Sequence, residues 1–179
     1  MIRTIVIVVI AMLVVGVGAV LALAATKPDS FNVERTASIK APPEKIFALI
    51  NDLHGWRAWS PYENKDPEMK RSFSGAPSGK GAVYEWNGNK NVGKGRMEIT
   101  EASAPSKIVI KLDFISPFEG HNMAEFTMEP KGDATNVKWG MYGPAPFISK
   151  VMQVFVDFDR MIGKDFEEGL GNLKALAEK

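Results

Sequence analysis

The carboxy-terminal stretch, from Phe147 to Lys179, constrains the fold of this chain most. Its apolar residues recur at helical spacing, which predicts one long amphipathic helix with an apolar stripe along one side. The stripe consists of Met152, Phe155, Ile162, Phe166, Leu170, Leu173 and Leu176. Pro144 and Pro146 mark its start, because proline is tolerated only in the first turn of a helix. Such a helix is stable only when another apolar surface covers its stripe.

That surface is predicted to be a curved antiparallel sheet. Phe31 to Lys40 forms the first strand, Glu44 to Asn51 a short helix, and Asp52 to Tyr62 an aromatic connector. Short alternating runs then predict six further strands, separated by turn residues. These strands are Met69 to Ser74, Gly81 to Asn87, Gly93 to Ser103, Ser106 to Ile115, Gly120 to Glu129, and Thr135 to Tyr142. A sheet that grips so long a helix is expected to leave space between them.

The alternation within the strands assigns side chains to the face that the helix covers. The predicted inward residues are Phe73, Tyr84, Trp86, Met97, Ile99, Ile108, Ile110, Leu112, Phe114, Phe126, Met128, Val137, Trp139 and Met141. Charged residues such as Glu85, Arg96 and Lys138 lie between them and suit a solvated outer face. The sheet is therefore expected to have one apolar side and one polar side.

Composition excludes several kinds of site. The chain has no cysteine, so it has no disulfide, thiolate metal site or cysteine nucleophile. Only His54 and His121 could supply imidazole, and we expect neither a metal nor a cofactor. The 22 basic and 21 acidic residues are interspersed and give a net charge of +1. A nucleic-acid-binding protein needs a basic face, so no nucleic-acid partner is predicted.

The first 25 residues form a separate segment. From Ile5 to Ala25 the chain is uncharged and apolar, long enough to cross a bilayer core of roughly 30 Å. The alternative is a cleaved secretory signal, since Ala22 to Ala24 resembles a cleavage site, but the length of the run favours an uncleaved anchor. Arg3 favours a cytoplasmic amino end, and Lys27 weakens that orientation.

We therefore predict a single-pass membrane protein with an anchor at residues 1–25, a linker at 26–30, and a ligand-binding domain at 31–179 on the non-cytoplasmic side. Signal cleavage would instead give a secreted or periplasmic protein.

Two motifs suggest a family. The run Trp56-Arg57-Ala58-Trp59-Ser60-Pro61 follows a short helix, and the chain closes with Ile162-Gly163-Lys164-Asp165-Phe166-Glu167-Glu168-Gly169-Leu170. With the order of elements, they resemble the polyketide cyclase/dehydrase-type branch of the START and birch-pollen-allergen-like (SRPBCC) superfamily, over roughly Phe31 to Lys179. The resemblance implies an α+β helix-grip fold, in which a seven-stranded curved antiparallel sheet surrounds a long C-terminal helix and two short helices follow strand 1. It also implies a deep apolar cavity for lipids, sterols, polyketides or similar molecules.

The inward residues supply the predicted ligand-binding set. It comprises Trp56, Trp59, Phe73, Tyr84, Trp86, Met97, Phe114, Phe126, Met128, Trp139, Met141, Met152, Phe155 and Asp159. Trp56 and Trp59 either frame the cavity mouth and stack on a flat ligand or pack the small helices onto the sheet. The methionines either give the cavity an adaptable lining or serve as ordinary packing.

Asp159 and Tyr84 are the catalytic candidates. Asp159 falls on the apolar stripe, and a carboxyl group held among apolar side chains has a raised pKa and can exchange protons near neutrality. In the alternative, Asp159 lies at the edge of the stripe beside Arg160 or in solvent. Tyr84 orients a ligand through its phenol or is a core residue with a satisfied hydroxyl. His54 lies near Asp52 in the sequence, but a triad is defined by geometry and no nucleophile elbow is present.

The sequence thus predicts membrane-anchored binding of a hydrophobic small molecule or lipid in an internal cavity. The first alternative is a cyclase or dehydratase that uses general acid and base groups. The second is a non-catalytic interaction module whose interior is filled by its own side chains.

Overall fold

The computed structural model describes residues 2–179. The helices are α1 (Ile2–Ala25), α2 (Pro43–Asn51), a 3-10 helix (Leu53–Ala58), α3 (Pro61–Lys65), α4 (Phe147–Phe155) and α5 (Phe158–Ala177). The strands are β1 (Ser30–Ile39), β2 (Lys70–Gly75), β3 (Ala82–Asn87), β4 (Lys94–Ser103), β5 (Lys107–Ser116), β6 (Gly120–Lys131) and β7 (Ala134–Pro144). This order confirms the predicted arrangement of one strand, short helices and six strands, followed by helical structure at the carboxy terminus.

The strands form one antiparallel sheet in the order β1-β7-β6-β5-β4-β3-β2. Strands β2 to β7 pair with their sequence neighbours, whereas β1 pairs with β7 along its whole length, from Ser30 opposite Pro144 to Ile39 opposite Thr135. The period-two assignment of faces is confirmed in the middle of the sheet, where Ile99, Phe126 and Val137 are fully buried. The seven-stranded helix-grip prediction is therefore confirmed.

The prediction of a single carboxy-terminal helix is wrong at two residues. Val156 is extended, with φ −126° and ψ 128°, and separates α4 from α5. The Asp157 side chain accepts a hydrogen bond from the Arg160 backbone N–H at 3.0 Å and so caps the start of α5. Aspartate is a favoured N-cap and a β-branched valine suits extended backbone, so these two residues outweigh the continuous helical spacing.

The core is solid where α5 crosses the sheet. Phe166 stacks on Trp139 with ring centroids 4.1 Å apart and an interplanar angle of 11°. Gly169 permits this approach, because a Cβ there would lie 2.6 Å from Trp139 Cζ3. Farther along α5, Leu173 is fully buried, and Glu178 just beyond the helix accepts a hydrogen bond from the Lys40 backbone N–H at 2.7 Å. We call this part of the domain the closed end.

The opposite part of the domain, where α4 and the start of α5 lie, is called the open end. Here the β3–β4 turn lies beside the β5–β6 turn, since Lys94 pairs with Ser116, and the end of β7 lies beside the start of β6, since Met123 pairs with Tyr142. Helix α1 approaches the same end, because the Ala145 N–H donates to the Asp29 carbonyl at 2.7 Å. Helix α1 is long and apolar enough to cross a membrane, and near the N-terminus it fits a signal sequence equally well.

Candidate functional site

A cavity of about 430 Å³ occupies the open end, between the sheet and helices α4 and α5. Its sheet wall includes Tyr84, Trp86, Met97, Ile110, Leu112, Phe114, Ala124, Trp139 and Met141. Its helix wall includes Trp56, Ser60, Tyr62, Glu63, Ser149, Met152, Gln153, Phe158, Met161, Ile162, Asp165 and Phe166. Cavities of roughly 300–1,000 Å³ hold small molecules in proteins. The unfilled volume contradicts the alternative of an interaction module filled by its own side chains.

Two features of the sequence keep this volume empty. The break at Val156 and Asp157 redirects α4, so that this helix does not continue the close packing that α5 makes with the sheet. On β6 the inward position facing the cavity is Ala124, whereas the next inward position toward the closed end is Phe126, which is fully buried. A short side chain and a redirected helix therefore leave the space that larger residues fill elsewhere.

One polar cluster in the wall joins Tyr84, Glu63 and Arg71. The Tyr84 hydroxyl donates to Glu63 Oε1 at 2.7 Å, and Arg71 Nε donates to Glu63 Oε2 at 2.7 Å. Glu63 is only 7% exposed, so its carboxylate depends on these two partners. Burial, followed by the hydrogen bond to Glu63, raises the pKa of Tyr84. The phenol is therefore protonated near neutrality and orients the Glu63 carboxylate.

A second cluster joins Tyr62, Lys65 and Asp165. Lys65 Nζ donates to Asp165 Oδ2 at 2.6 Å and lies 5.2 Å from the centroid of the Tyr62 ring. Burial and the nearby negative charge of Asp165 raise the pKa of Tyr62. This tyrosine also stays protonated, so both clusters present a phenol beside a carboxylate at the cavity wall.

Gln153 contributes a third polar group. Its side chain lines the cavity from α4, and Nε2 is buried without a hydrogen-bond partner among residues 2–179. A buried donor left unpaired costs roughly 1–3 kcal/mol. Gln153 is therefore a polar side chain of the cavity wall whose amide nitrogen is left without a protein partner.

Eight of the predicted ligand-binding residues line the cavity. They are Trp56, Tyr84, Trp86, Met97, Phe114, Trp139, Met141 and Met152. Trp56 lines the cavity and also packs the short helices, since its ring centroid lies 4.8 Å from that of Trp59 and its indole N–H donates to the Ile50 carbonyl at 2.9 Å. The cavity wall therefore continues into the packing of the short helices.

The other predicted residues lie away from the cavity. Trp59, Phe126 and Met128 are buried outside the cavity wall, where Trp59 is 1% exposed and packs edge-on against Phe126. Phe73 stacks between His54 and Tyr84 on the edge strand β2. Phe155 is 72% exposed, because the break after it turns the apolar face of α4 outward. The alternation of side chains along each strand identified which ones point inward, but not how far along the sheet each of them lies.

The prediction that Asp159 points inward is also wrong. Its side chain is 62% exposed and forms an ion pair with Arg35, with Oδ2 3.0 Å from Nη2. Arg35 also reaches Glu167 Oε1 at 2.8 Å and lies over Gly163, so Asp159, Gly163 and Glu167 lie on the side of α5 that faces β1. The hydrogen bond from Arg35 lowers the pKa of Asp159, which is the opposite of the predicted shift. Asp159 therefore cannot exchange protons with a molecule in the cavity.

Histidine chemistry is also absent from the cavity. His54 Nδ1 lies 3.0 Å from Asp52 Oδ1, and the ring stacks on Phe73 outside the cavity wall. Within residues 2–179, no group of three or more histidine, aspartate or glutamate side chains is arranged to hold a metal ion.

Sequence reasoning missed helix α3 and the residues it presents. Tyr62, Glu63 and Lys65 all come from this five-residue helix. Its signal was Pro61 directly after Ser60, because proline favours the first helical position. Asp165 and Gln153 were missed because their orientation depends on where α4 ends and α5 begins.

A curved antiparallel sheet around a carboxy-terminal helix, with an apolar cavity between them, defines the helix-grip class of hydrophobic ligand-binding folds. Within that class, the chain belongs to the family described as polyketide cyclase / dehydrase and lipid transport, whose model matches residues 30–178. The family predicted from the sequence motifs is thereby confirmed, and α1 lies outside the matched residues. No curated protein is significantly similar to the chain in sequence.

Solved structures share the fold at low sequence identity. The chain matches the ginseng major latex-like protein 151 from Panax ginseng with a TM-score of 0.59 and 13% identity, over 85% of this chain and 100% of that one. It matches Aha1 from Colwellia psychrerythraea with a TM-score of 0.59 and 17% identity, over 83% and 96% of the two chains. It also matches BexL, a di-domain ARO/CYC protein of the BE-7585A biosynthetic pathway, with a TM-score of 0.61 and 15% identity, over 89% of this chain and 53% of that one.

Proposed function

We propose that the protein binds a hydrophobic small molecule or lipid in the cavity of the open end. The observation that carries the proposal is the unfilled volume of about 430 Å³, with walls built mainly from aromatic and aliphatic side chains. Burial of apolar ligand surface would stabilise the complex by roughly 25 cal/mol per Å². The ligand would therefore be mainly apolar and of the size of a fatty acid or a small polycyclic molecule.

The few polar groups in the wall would fix the orientation of the ligand. Gln153 Nε2 offers a free donor on the α4 side, and the two phenol–carboxylate pairs lie on the α3 side. A ligand with a carbonyl or hydroxyl oxygen at one end would meet Gln153 and leave its apolar body against Trp86 and Phe114. Specificity would then depend on the placement of that oxygen.

We also propose that α1 anchors the protein in a membrane. Helix α1 has a mean hydropathy of 3.2 in its most apolar window, and none of that window is buried in the protein. An anchored domain would hold its cavity close to the phase in which apolar molecules dissolve. Detection of the full-length chain in the membrane fraction after an alkaline carbonate wash would support the anchor, and a chain that begins after Ala24 would contradict it.

Ligand extraction tests the binding proposal. The core draws its buried residues from Val33 to Ala177, so residues 27–179 can be produced without α1. Native mass spectrometry of this domain should show a bound mass that solvent extraction releases, in one-to-one stoichiometry. A ligand-free domain that also fails to bind apolar dyes would contradict the proposal.

A cyclase or dehydratase activity is the second candidate function. The observation that favours it is the pairing of Glu63 with Tyr84 and of Asp165 with Tyr62 at the cavity wall, since such pairs can serve in general acid and base chemistry. Turnover of a candidate polyketide substrate should fall sharply in Glu63→Gln and Tyr84→Phe. Asp159→Asn is the matched control, because this carboxylate lies outside the cavity and should leave turnover unchanged.

A further inference from the structure

Helix α4 turns several large apolar side chains away from the cavity. Phe147, Ile148 and Phe155 are each more than half exposed, whereas Ser149 and Gln153, four residues apart, line the cavity. A helix on the surface of a soluble domain normally turns its apolar side toward the protein and its polar side toward water. The outward side of α4 is therefore suited to an apolar environment.

Other exposed apolar side chains lie beside it at the open end. Phe118 in the β5–β6 turn and Met161 on α5 are more than half exposed, and both also line the cavity. We call these two residues, together with Phe147, Ile148 and Phe155, the apolar rim. Exposed apolar surface on a protein often marks a binding surface, and here Phe118 and Met161 also line the cavity while Phe147, Ile148 and Phe155 belong to the helix that forms part of its wall.

The chain itself ties the apolar rim to α1. Asp29 accepts a hydrogen bond from the Ala145 N–H at 2.7 Å and pairs with Lys150 on α4. Only four residues lead from Ala25 to Asp29, which allows a reach of at most about 14 Å. Val151 and Phe155 lie against α1 between Val9 and Leu21. Insertion of α1 into a bilayer would therefore bring the rim to the lipid surface.

Charged residues follow the apolar side of α4 in the chain. Asp157, Asp159 and Arg160 follow directly after the break between α4 and α5. Asp157 caps α5 and Asp159 pairs with Arg35, so these groups remain on the hydrated side of the break. An interfacial helix with its apolar face roughly 5–10 Å deep in the headgroup region requires this change from apolar to charged residues.

We propose that α4 and the apolar rim lie in the membrane interface, so that the cavity opens onto the lipid. An apolar ligand then passes between the bilayer and the cavity without crossing water. This inference rests on the proposed ligand binding and on the proposed anchoring by α1, and it adds the route by which the ligand enters.

Single-cysteine labelling of the full chain in phosphatidylcholine vesicles tests the position of α4, since the natural sequence has no cysteine to remove. An environment-sensitive fluorophore is attached at Ile148→Cys or Phe155→Cys on the rim. The matched control is Asp133→Cys, an exposed site in the β6–β7 turn at the closed end. Fluorescence at the rim sites should be quenched several-fold more by nitroxides on lipid acyl chains than by aqueous iodide, with the opposite ranking at position 133.

Two outcomes would overturn the inference. Iodide quenching at the rim equal to that at position 133 would place α4 in water. Protection of the rim from both quenchers would show that protein, such as a second copy of the chain, covers it. Ligand binding by residues 27–179 in solution does not depend on the depth of α4. A rim in water, in full chains that stay with the vesicles through an alkaline carbonate wash, together with a saturable cavity in residues 27–179, would therefore refute this inference alone.

A double variant, Ile148→Asp with Phe155→Asp, tests whether the ligand enters through the apolar rim. Transfer of a fluorescent fatty acid from vesicles to the full chain should slow several-fold, because charged side chains leave the interface. The affinity of residues 27–179 for the same probe should be unchanged, since neither side chain lines the cavity. An unchanged transfer rate would contradict entry from the lipid.

Discussion

The closed end and the open end of the domain are built from similar residues but packed to different degrees. At the closed end, Trp59 packs edge-on against Phe126 and Trp139. Trp139 and Phe166, which also line the cavity, stack on each other where α5 crosses closely at Gly169. At the open end, Trp86 and Phe114 form the wall of an unfilled space. The difference arises from the break between α4 and α5. One end of the domain can therefore supply stability while the other remains available to a ligand.

Truncation of an aromatic side chain at the closed end should have the largest effect on stability. Trp59→Ala would remove the edge-on contacts with Phe126 and Trp139, and we expect a loss of about 3–5 kcal/mol in the free energy of unfolding. Met152→Ala is the matched truncation at the cavity wall and should cost well under half as much, because Met152 already borders empty space. Urea unfolding of residues 27–179 measures both, and equal losses would refute the distinction between the two ends.

Larger side chains should lower stability at the closed end and ligand affinity at the open end. Gly169→Ala would place a Cβ 2.6 Å from Trp139 Cζ3 and 3.0 Å from Pro61 Cδ, and should cost about 1–3 kcal/mol of unfolding free energy. Ala124→Ile would extend into the cavity instead, with a stability change below about 1 kcal/mol. Its effect should appear in ligand affinity, which we expect to fall about tenfold or more, equivalent to roughly 1.4 kcal/mol. A large stability loss in Ala124→Ile without weaker binding would contradict this contrast.

Removal of the unpaired amide at the open end should make the ligand-free protein slightly more stable. Gln153→Met keeps the length of the side chain and eliminates the buried Nε2 donor, so the free energy of unfolding should rise by up to about 1 kcal/mol. Binding of a ligand that carries an acceptor oxygen should weaken in the same variant. Thermal unfolding with and without ligand measures both effects, and a less stable ligand-free variant would show that Gln153 has a structural partner.

The smallest expected effect is a pH-dependent contribution to stability from His121, at the start of β6. The hydrogen bond with Asp113 raises the pKa of His121, so the folded state holds the proton more tightly than the unfolded state does. The resulting stabilisation is complete below about pH 6.5, the ordinary pKa of histidine, and is lost as pH rises through the higher pKa of the folded state. His121→Asn should therefore lower stability in acid and leave it unchanged in alkali. Urea unfolding across this range checks the sign, and a loss confined to alkaline pH would contradict it.

The sequence allowed the sheet and the family to be predicted because both depend on local patterns. Period-two alternation located the strands and their inward faces, and the tryptophan connector with the Ile162 to Leu170 segment indicated the family. The break at Val156 and Asp157 was hidden, because apolar residues continue at helical spacing across it. The orientation of Asp159 and Phe155 depends on that break, which is why both were assigned to the cavity incorrectly.

Local sequence patterns also did not show where along the sheet each inward side chain lies. Trp59 and Trp56 are three residues apart and both are buried, yet only Trp56 reaches the cavity. Alternation separates inward from outward side chains, but the depth of each inward side chain depends on how α5 and the short helices pack. The polar residues of α3 were also missed, because a five-residue helix is too short for its sequence to show which side faces the cavity.

Energy transfer to a bound probe tests the central claim most directly. Trp56, Trp86 and Trp139 line the cavity, so their fluorescence should transfer to cis-parinaric acid bound there. Titration of residues 27–179 should saturate at one probe per chain, and Ala124→Ile should weaken that binding about tenfold or more while the domain stays folded. Binding that does not saturate, or that is equally strong in Ala124→Ile, would contradict the claim that the open end is a ligand-binding cavity.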